Sequence, residues 1–131
     1  MNDNRLVCRG PEPAPLAAPG VIAPGGLRLG RAASSMGDLV LSWTPSCLPG
    51  AESYGIYEGH IGEWSSHVPI DCADAGADLE EQISPAGGDR YYLIVPHNVD
   101  DDGSYGADSN GSERAPATPS CRQRQRIEPC P

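Results

Sequence analysis

Apolar and polar positions alternate most clearly over residues 37–57, to be taken together with the apolar stretch within residues 90–98. Leu39, Leu41 and Trp43 alternate with Val40 and Ser42, and beyond a Pro/Gly break Tyr54 and Ile56 alternate with Gly55 and Tyr57. A period of two puts successive side chains on opposite faces of an extended chain, so the pattern predicts half-buried strands over residues 38–44 and 53–60. Residues 91–95 are the most apolar run and predict a further strand, with Pro96 expected to end its regular pairing because proline cannot donate to a ladder. Weaker alternation predicts strands over residues 27–32 and 63–70. The segment TPSCLPG reads as a loop. The acidic stretch of residues 71–82, with Asp71, Asp74, Asp78, Glu80 and Glu81, reads as a solvated loop leading into a charge-protected edge strand.

Composition sharpens this into an all-β expectation. Sixteen Gly and fourteen Pro among 131 residues punctuate short segments and leave little room for helices. There is no Phe, so a small core must lean on Trp43, the tyrosines and a few aliphatics. The net charge of −9 excludes a phosphate-binding face, which needs cations to replace counterions, so nucleic acid is not an expected partner. No apolar run is long enough to span a membrane. Five cysteines in so short a chain point to an oxidising compartment, extracellular or periplasmic, although the N-terminus lacks the order of a signal peptide. The expectation is the mature part, or an excised piece, of a secreted protein. No C-x-x-C motif occurs, and His60, His67 and His97 lie far from most cysteines, which disfavours zinc and haem.

Three regions follow from these shifts. Residues 1–25, with five Pro between Pro11 and Pro24, read as an extended arm or linker, or as an arm that lies on a neighbouring sheet edge. Residues 26–117 carry the strands. Residues 118–131 form a Cys- and Arg-containing tail in which Arg122, Arg124 and Arg126 alternate, so an extended tail presents them on one face, where they could meet the acidic loop of another copy.

LVLSWTP, YGIYEG, the ISP corner before YYLIVPHN and the glycine-rich stretch after it resemble the second, third, fifth-to-sixth and sixth-to-seventh strand elements of a fibronectin type III domain. The residues that carry the likeness are Trp43, Tyr54 with Ile56, Ile83 with Pro85, Tyr91 or Tyr92, and Asn98. A closer resemblance is to fibronectin-like modules of bacterial secreted multidomain proteins, through Ile56 to Gly59, Gly62, Trp64, Ser66, His67, Cys72 and residues 103–114. The resemblance implies a fibronectin type III or immunoglobulin-like two-sheet antiparallel sandwich. It leaves open whether Tyr91 or Tyr92 faces inward, because AGGD lengthens the corner. In that arrangement Cys47 and Cys72 make the natural bridge across one end of the sandwich, contributing about 3 kcal/mol. Cys8, Cys121 and Cys130 are then odd in number, so one is free or joined to another chain.

Candidate chemistry is sparse. Asn98, Asp100, Asp102 and Gly103 fit N-x-D-x-D-G, the opening half of a calcium loop, with Asp108 or Glu113 as a further oxygen donor; position twelve falls on Ser109 instead of Glu. A solvated hairpin tip accounts for the same residues. Trp64, with Tyr57 and His67 near it in sequence, is the candidate sugar-stacking face, against the alternative that Trp64 covers the edge of a thin core. Ser104, His97 and an Asp can be drawn as a triad, but no glycine-framed nucleophile elbow surrounds the serine, and catalysis is not expected. The sequence therefore predicts a non-catalytic extracellular structural or adhesion module, partnered by copies of itself or by neighbouring domains and able to build a surface fibre through its arm and tail. The alternative is a carbohydrate-binding accessory module.

Overall fold

The computed structural model describes residues 18–23, 25–33, 36–75 and 79–131, with residues 73–75 described by their backbone alone. The arm up to residue 17, Cys8 included, and Asp78 lie outside the described residues. The fold is all-β. Eight strands form two sheets, and no helix occurs among the described residues. β1 (Arg28–Arg31), β2 (Leu39–Ser42) and β5 (Glu80–Ile83) form one sheet in the order β1-β2-β5. β3 (Ser53–His60), β4 (Glu63–Ala75), β6 (Arg90–His97), β7 (Asp101–Asp102) and β8 (Arg124–Gln125) form the other in the order β4-β3-β6-β7-β8.

The alternation seen in the sequence becomes the core between the sheets. Leu41 and Ile83 from the first sheet meet Tyr54, Ile56, Tyr92 and Ile94 from the second, with Trp43 edge-on to Tyr54 at 5.7 Å between ring centroids. Each such large apolar side chain contributes about 1.5–3 kcal/mol by leaving water. The inward residue at the start of β6 is Tyr92, whose hydroxyl donates to Glu58 at 2.8 Å; the same carboxylate accepts the Ala86 amide at the corner. Tyr91 points to the other face, where it packs against a second cluster.

Three expectations need correction. β4 continues through Asp71 and Cys72 to Ala75, so the acidic stretch opens as strand, pairing Asp71 with Ile56 and Asp74 with Tyr54 across shifts in register. An edge strand tolerates charge because one side of it faces solvent. Pro96 does not end the pairing of β6, for it stands opposite Tyr54 with His97 still paired to Ser53. The reason lies in which way its backbone points. The His97 and Asp89 carbonyls accept from Glu52 and Ile61 on the β3 side, so odd positions face β3 and even ones face away; the Pro96 carbonyl accordingly accepts the Gly103 amide at 2.7 Å on the opposite edge. A missing N–H at position 96 costs nothing toward β3.

The third correction concerns the cysteines. Cys47 pairs with Cys130 and Cys72 with Cys121, instead of Cys47 with Cys72. The tail returns across the molecule and β8 joins β7 in parallel, with the Arg126 amide donating to the Asp102 carbonyl. Its arginines meet acidic and carbonyl groups of the same chain: Arg124 reaches Asp101 at 3.1 Å and Arg122 the Asn98 carbonyl at 2.8 Å. At the other end, residues 18–20 are buried, and Gly20 accepts from the Ser104 amide.

Candidate functional site

The face of the five-stranded sheet that turns away from the first sheet is covered, and the cover holds most of the chemistry. Tyr57 on β3 and Leu93 and Val95 on β6 alternate with the core residues and point to this face, where Tyr105, Ala117 and Cys121 close over them. Gly55 makes room for the cover: a Cβ there would lie 2.9 Å from the Cys121 sulfur, so only glycine lets the Cys72–Cys121 bridge rest on the sheet. His67 on β4 is buried beneath it. One of its ring nitrogens meets the Tyr91 hydroxyl and the other the Ala115 carbonyl, both at 2.7 Å, so the ring ties β4 and β6 to the covering segment. Of the three side chains expected to stack on a ligand, Tyr57 and His67 are thus buried at 0% and 2% exposure. Trp64 is 55% exposed and leans on the Tyr91 ring at 5.1 Å.

Asp102 is the polar centre of this layer. Its Oδ2 accepts from the Tyr57 and Tyr105 hydroxyls, each at 3.3 Å, while the Tyr57 oxygen accepts the Cys121 amide at 2.8 Å. Its Oδ1 lies 3.7 Å from Nδ1 of His97, within ion-pair range and beyond hydrogen-bond range. Among the described residues neither ring nitrogen of His97 has a hydrogen-bond partner. Such a buried, partly matched polar group is costly unless the surroundings hold it in place. Ser104, drawn beside His97 in the sequence, gives its hydroxyl hydrogen to Glu113 at 2.6 Å and accepts the Gly106 amide.

The half-motif for calcium is distributed differently from an ion cage. Asn98 Oδ1 accepts the amides of Asp100 and Asp101 at 2.9 and 2.7 Å, so its side chain caps the turn. Asp102 faces inward to the tyrosines, Asp100 lies at the surface 4.0 Å from Arg124, and Asp108 caps its own turn through the Asn110 and Ser112 amides. No group of three metal-ligating side chains comes together among the described residues.

Burial raises the ionisation of three tyrosines above the ordinary range: Tyr57, Tyr92, where the Glu58 carboxylate adds to it, and Tyr105, where the Tyr57 hydroxyl and then Asp102 add to it. A group whose folded pKa is raised binds its proton more tightly in the folded state. Its contribution is therefore complete below the unfolded value near pH 10 and is lost as pH rises from there, by about 1.4 kcal/mol per pH unit for each group. Stability is expected to hold to about pH 10 and then to fall steeply. Tyrosinate absorbance should lag that of the unfolded chain and then rise together with loss of far-ultraviolet dichroism. Early titration of all the tyrosines in the intact fold would contradict this placement.

No protein-family model, curated protein or solved structure matches the chain. What the fold defines is a class: an all-β protein of two sheets, with two disulfides that suit an oxidising, extracellular compartment. No helix among the described residues is long and apolar enough to cross a membrane.

Proposed function

We propose that the chain is a non-catalytic extracellular structural module of fibronectin type III type that joins to copies of itself or to neighbouring domains. The observation that carries this reading is the strand order, β1-β2-β5 facing β4-β3-β6-β7-β8. Lettered in chain order, the first seven strands match the A-B-E and C′-C-F-G division of an immunoglobulin-like sandwich, with β8 added in parallel beside β7. Tyr92, tied through Glu58 to the corner before its strand, stands where such sandwiches anchor a tyrosine. The polar side chains of the outer face are spent on holding the cover in place, which suits mechanical integrity better than turnover. Two disulfides use Cys47, Cys72, Cys121 and Cys130, so the remaining cysteine, Cys8 on the arm, is the one available to another chain.

The mass of the non-reduced natural protein tests this. Species larger than one copy are expected, and a strictly monomeric protein across a wide concentration range would sink the assembly reading. A second reading, glycan binding, has one specific observation in its favour: Trp64 is more than half exposed beside the Tyr91 ring. With Tyr57 and His67 buried, one ring makes a poor platform. Retention on immobilised polysaccharides is expected to be unchanged by Trp64→Ala, and Trp64-dependent retention would reverse the preference.

A further inference from the structure

β6 has eight residues, yet its partner on the edge away from β3 is short. Among the described residues β7 pairs with it only at His97–Asp102. After Gly103 the chain turns off toward the N-terminal segment, and the Ser104 amide donates to Gly20. The even positions of β6 face this edge, as the Pro96 carbonyl shows, so the N–H and C=O groups of Tyr92 and Ile94 point into the space the chain has left. That space is a groove of about 430 Å³ between Val21, Ile22 and Leu27 on one side and Tyr105, Ala107 and Arg114 on the other. An apolar groove floored by a strand edge that has no backbone partner among the described residues is the acceptor geometry of strand addition.

We infer that the groove receives the N-terminal arm of a second copy, an inference that rests on the assembly reading above and names its contact surfaces. The arm's sequence fits the role. In an extended chain successive backbone groups point to opposite sides. In PEPAPL, Pro11, Pro13 and Pro15 fall on one side, and Glu12, Ala14 and Leu16 on the other. Such a strand offers three N–H donors to one neighbour and none to the outside, so it can complete an edge and then block further addition. The prolines also hold the residues before them extended, which lowers the entropy lost on pairing. Charge agrees. The first 17 residues hold two Arg against Asp3 and Glu12, so the whole net charge of −9 belongs to the rest of the chain, and the arm is the part that meets a second copy with least repulsion. Glu12, the last charge before the domain, has Arg114 on the groove wall to meet. Each copy would carry one donor and one acceptor, so the contact is head-to-tail and propagates as a filament unless the rotation closes a ring.

The test uses the full chain with Cys8→Ser, so that association cannot be covalent. In that background light scattering after size exclusion should give assemblies of two or more copies. Ala14→Pro removes a central donor while keeping the arm extended, and Ala107→Trp fills the groove from an exposed position; each should reduce the mass to one copy without lowering the thermal midpoint. Mixed in equal amounts, the two variants should form pairs and nothing larger, since one lacks a donor and the other an acceptor. Assemblies that ignore both substitutions would overturn the groove while leaving the assembly reading in place. A monomer at every concentration would overturn both.

Discussion

Replacing Cys72 and Cys121 together by serine is expected to be among the most damaging changes the fold can receive. The bridge spans 49 residues, and loop closure alone gives about 4 kcal/mol of stability in the chain-entropy picture. That is a large share of the roughly 5–15 kcal/mol available to a domain. The second contribution is local. Without the bridge, Cys121 no longer holds its segment over Tyr57, Leu93 and Val95, and the amide that donates to the Tyr57 oxygen leaves with it. Cys47–Cys130 separates the two contributions. Its loop of 83 residues would be worth about 4.5 kcal/mol by the same arithmetic, yet the Cys130 end is exposed and lies outside both apolar clusters. Urea unfolding of the two serine pairs should therefore rank Cys72/Cys121 as the more destabilising despite its shorter loop, with gain of binding by a hydrophobic dye for that pair alone. The reverse ranking would mean that loop entropy decides and that the cover holds without its bridge.

The strands were legible wherever one face alone was apolar. Leu39 and Leu41, and Tyr54 and Ile56, put a period of two into the chain at β2 and β3, whereas β6 shows itself as a continuous apolar run into Val95. What the alternation could not reveal was the second use of the same strands. Tyr57 and His67 are candidates for a ligand through their nearness to Trp64 in the sequence, and nothing local announces that they fall on the face that residues 105–121 return to cover. The same long-range return decides the cysteine pairing. Five cysteines admit many pairings, and the correct ones require the tail to cross the molecule, a contact between residues far apart in sequence. Alternation places Arg122, Arg124 and Arg126 on one face of an extended tail, but acidic partners are plentiful in this chain, and Arg124 meets its own Asp101 and Arg126 its own Glu128. In the N-x-D-x-D-G stretch, closely spaced oxygens serve a turn as well as an ion. Orientation separates the two uses, and Asn98 turns onto its own backbone while Asp102 turns inward.

That inward turn makes Asp102 the second position where a large effect is expected. It is 1% exposed and gathers two hydroxyls, Tyr57 from β3 and Tyr105 from the covering segment. Asp102→Ala leaves both hydroxyls to find partners in a dry interior and opens a void beneath the cover. Each orphaned donor costs about 1–3 kcal/mol, so a loss of roughly 3–5 kcal/mol is expected in chemical unfolding. Asp102→Asn keeps an acceptor oxygen of nearly the same shape in the same place, and should recover more than half of that loss. Tyr57→Phe removes the Cys121 amide's acceptor on either background, but only on the wild-type background does it also remove the bond to the carboxylate, so it should cost more there than on the alanine background. The difference between those two costs measures the coupling across the layer. Additive effects would show that the three residues are neighbours that share a space without acting as one network, and the outer cover would then owe its place to the disulfide and apolar contact alone.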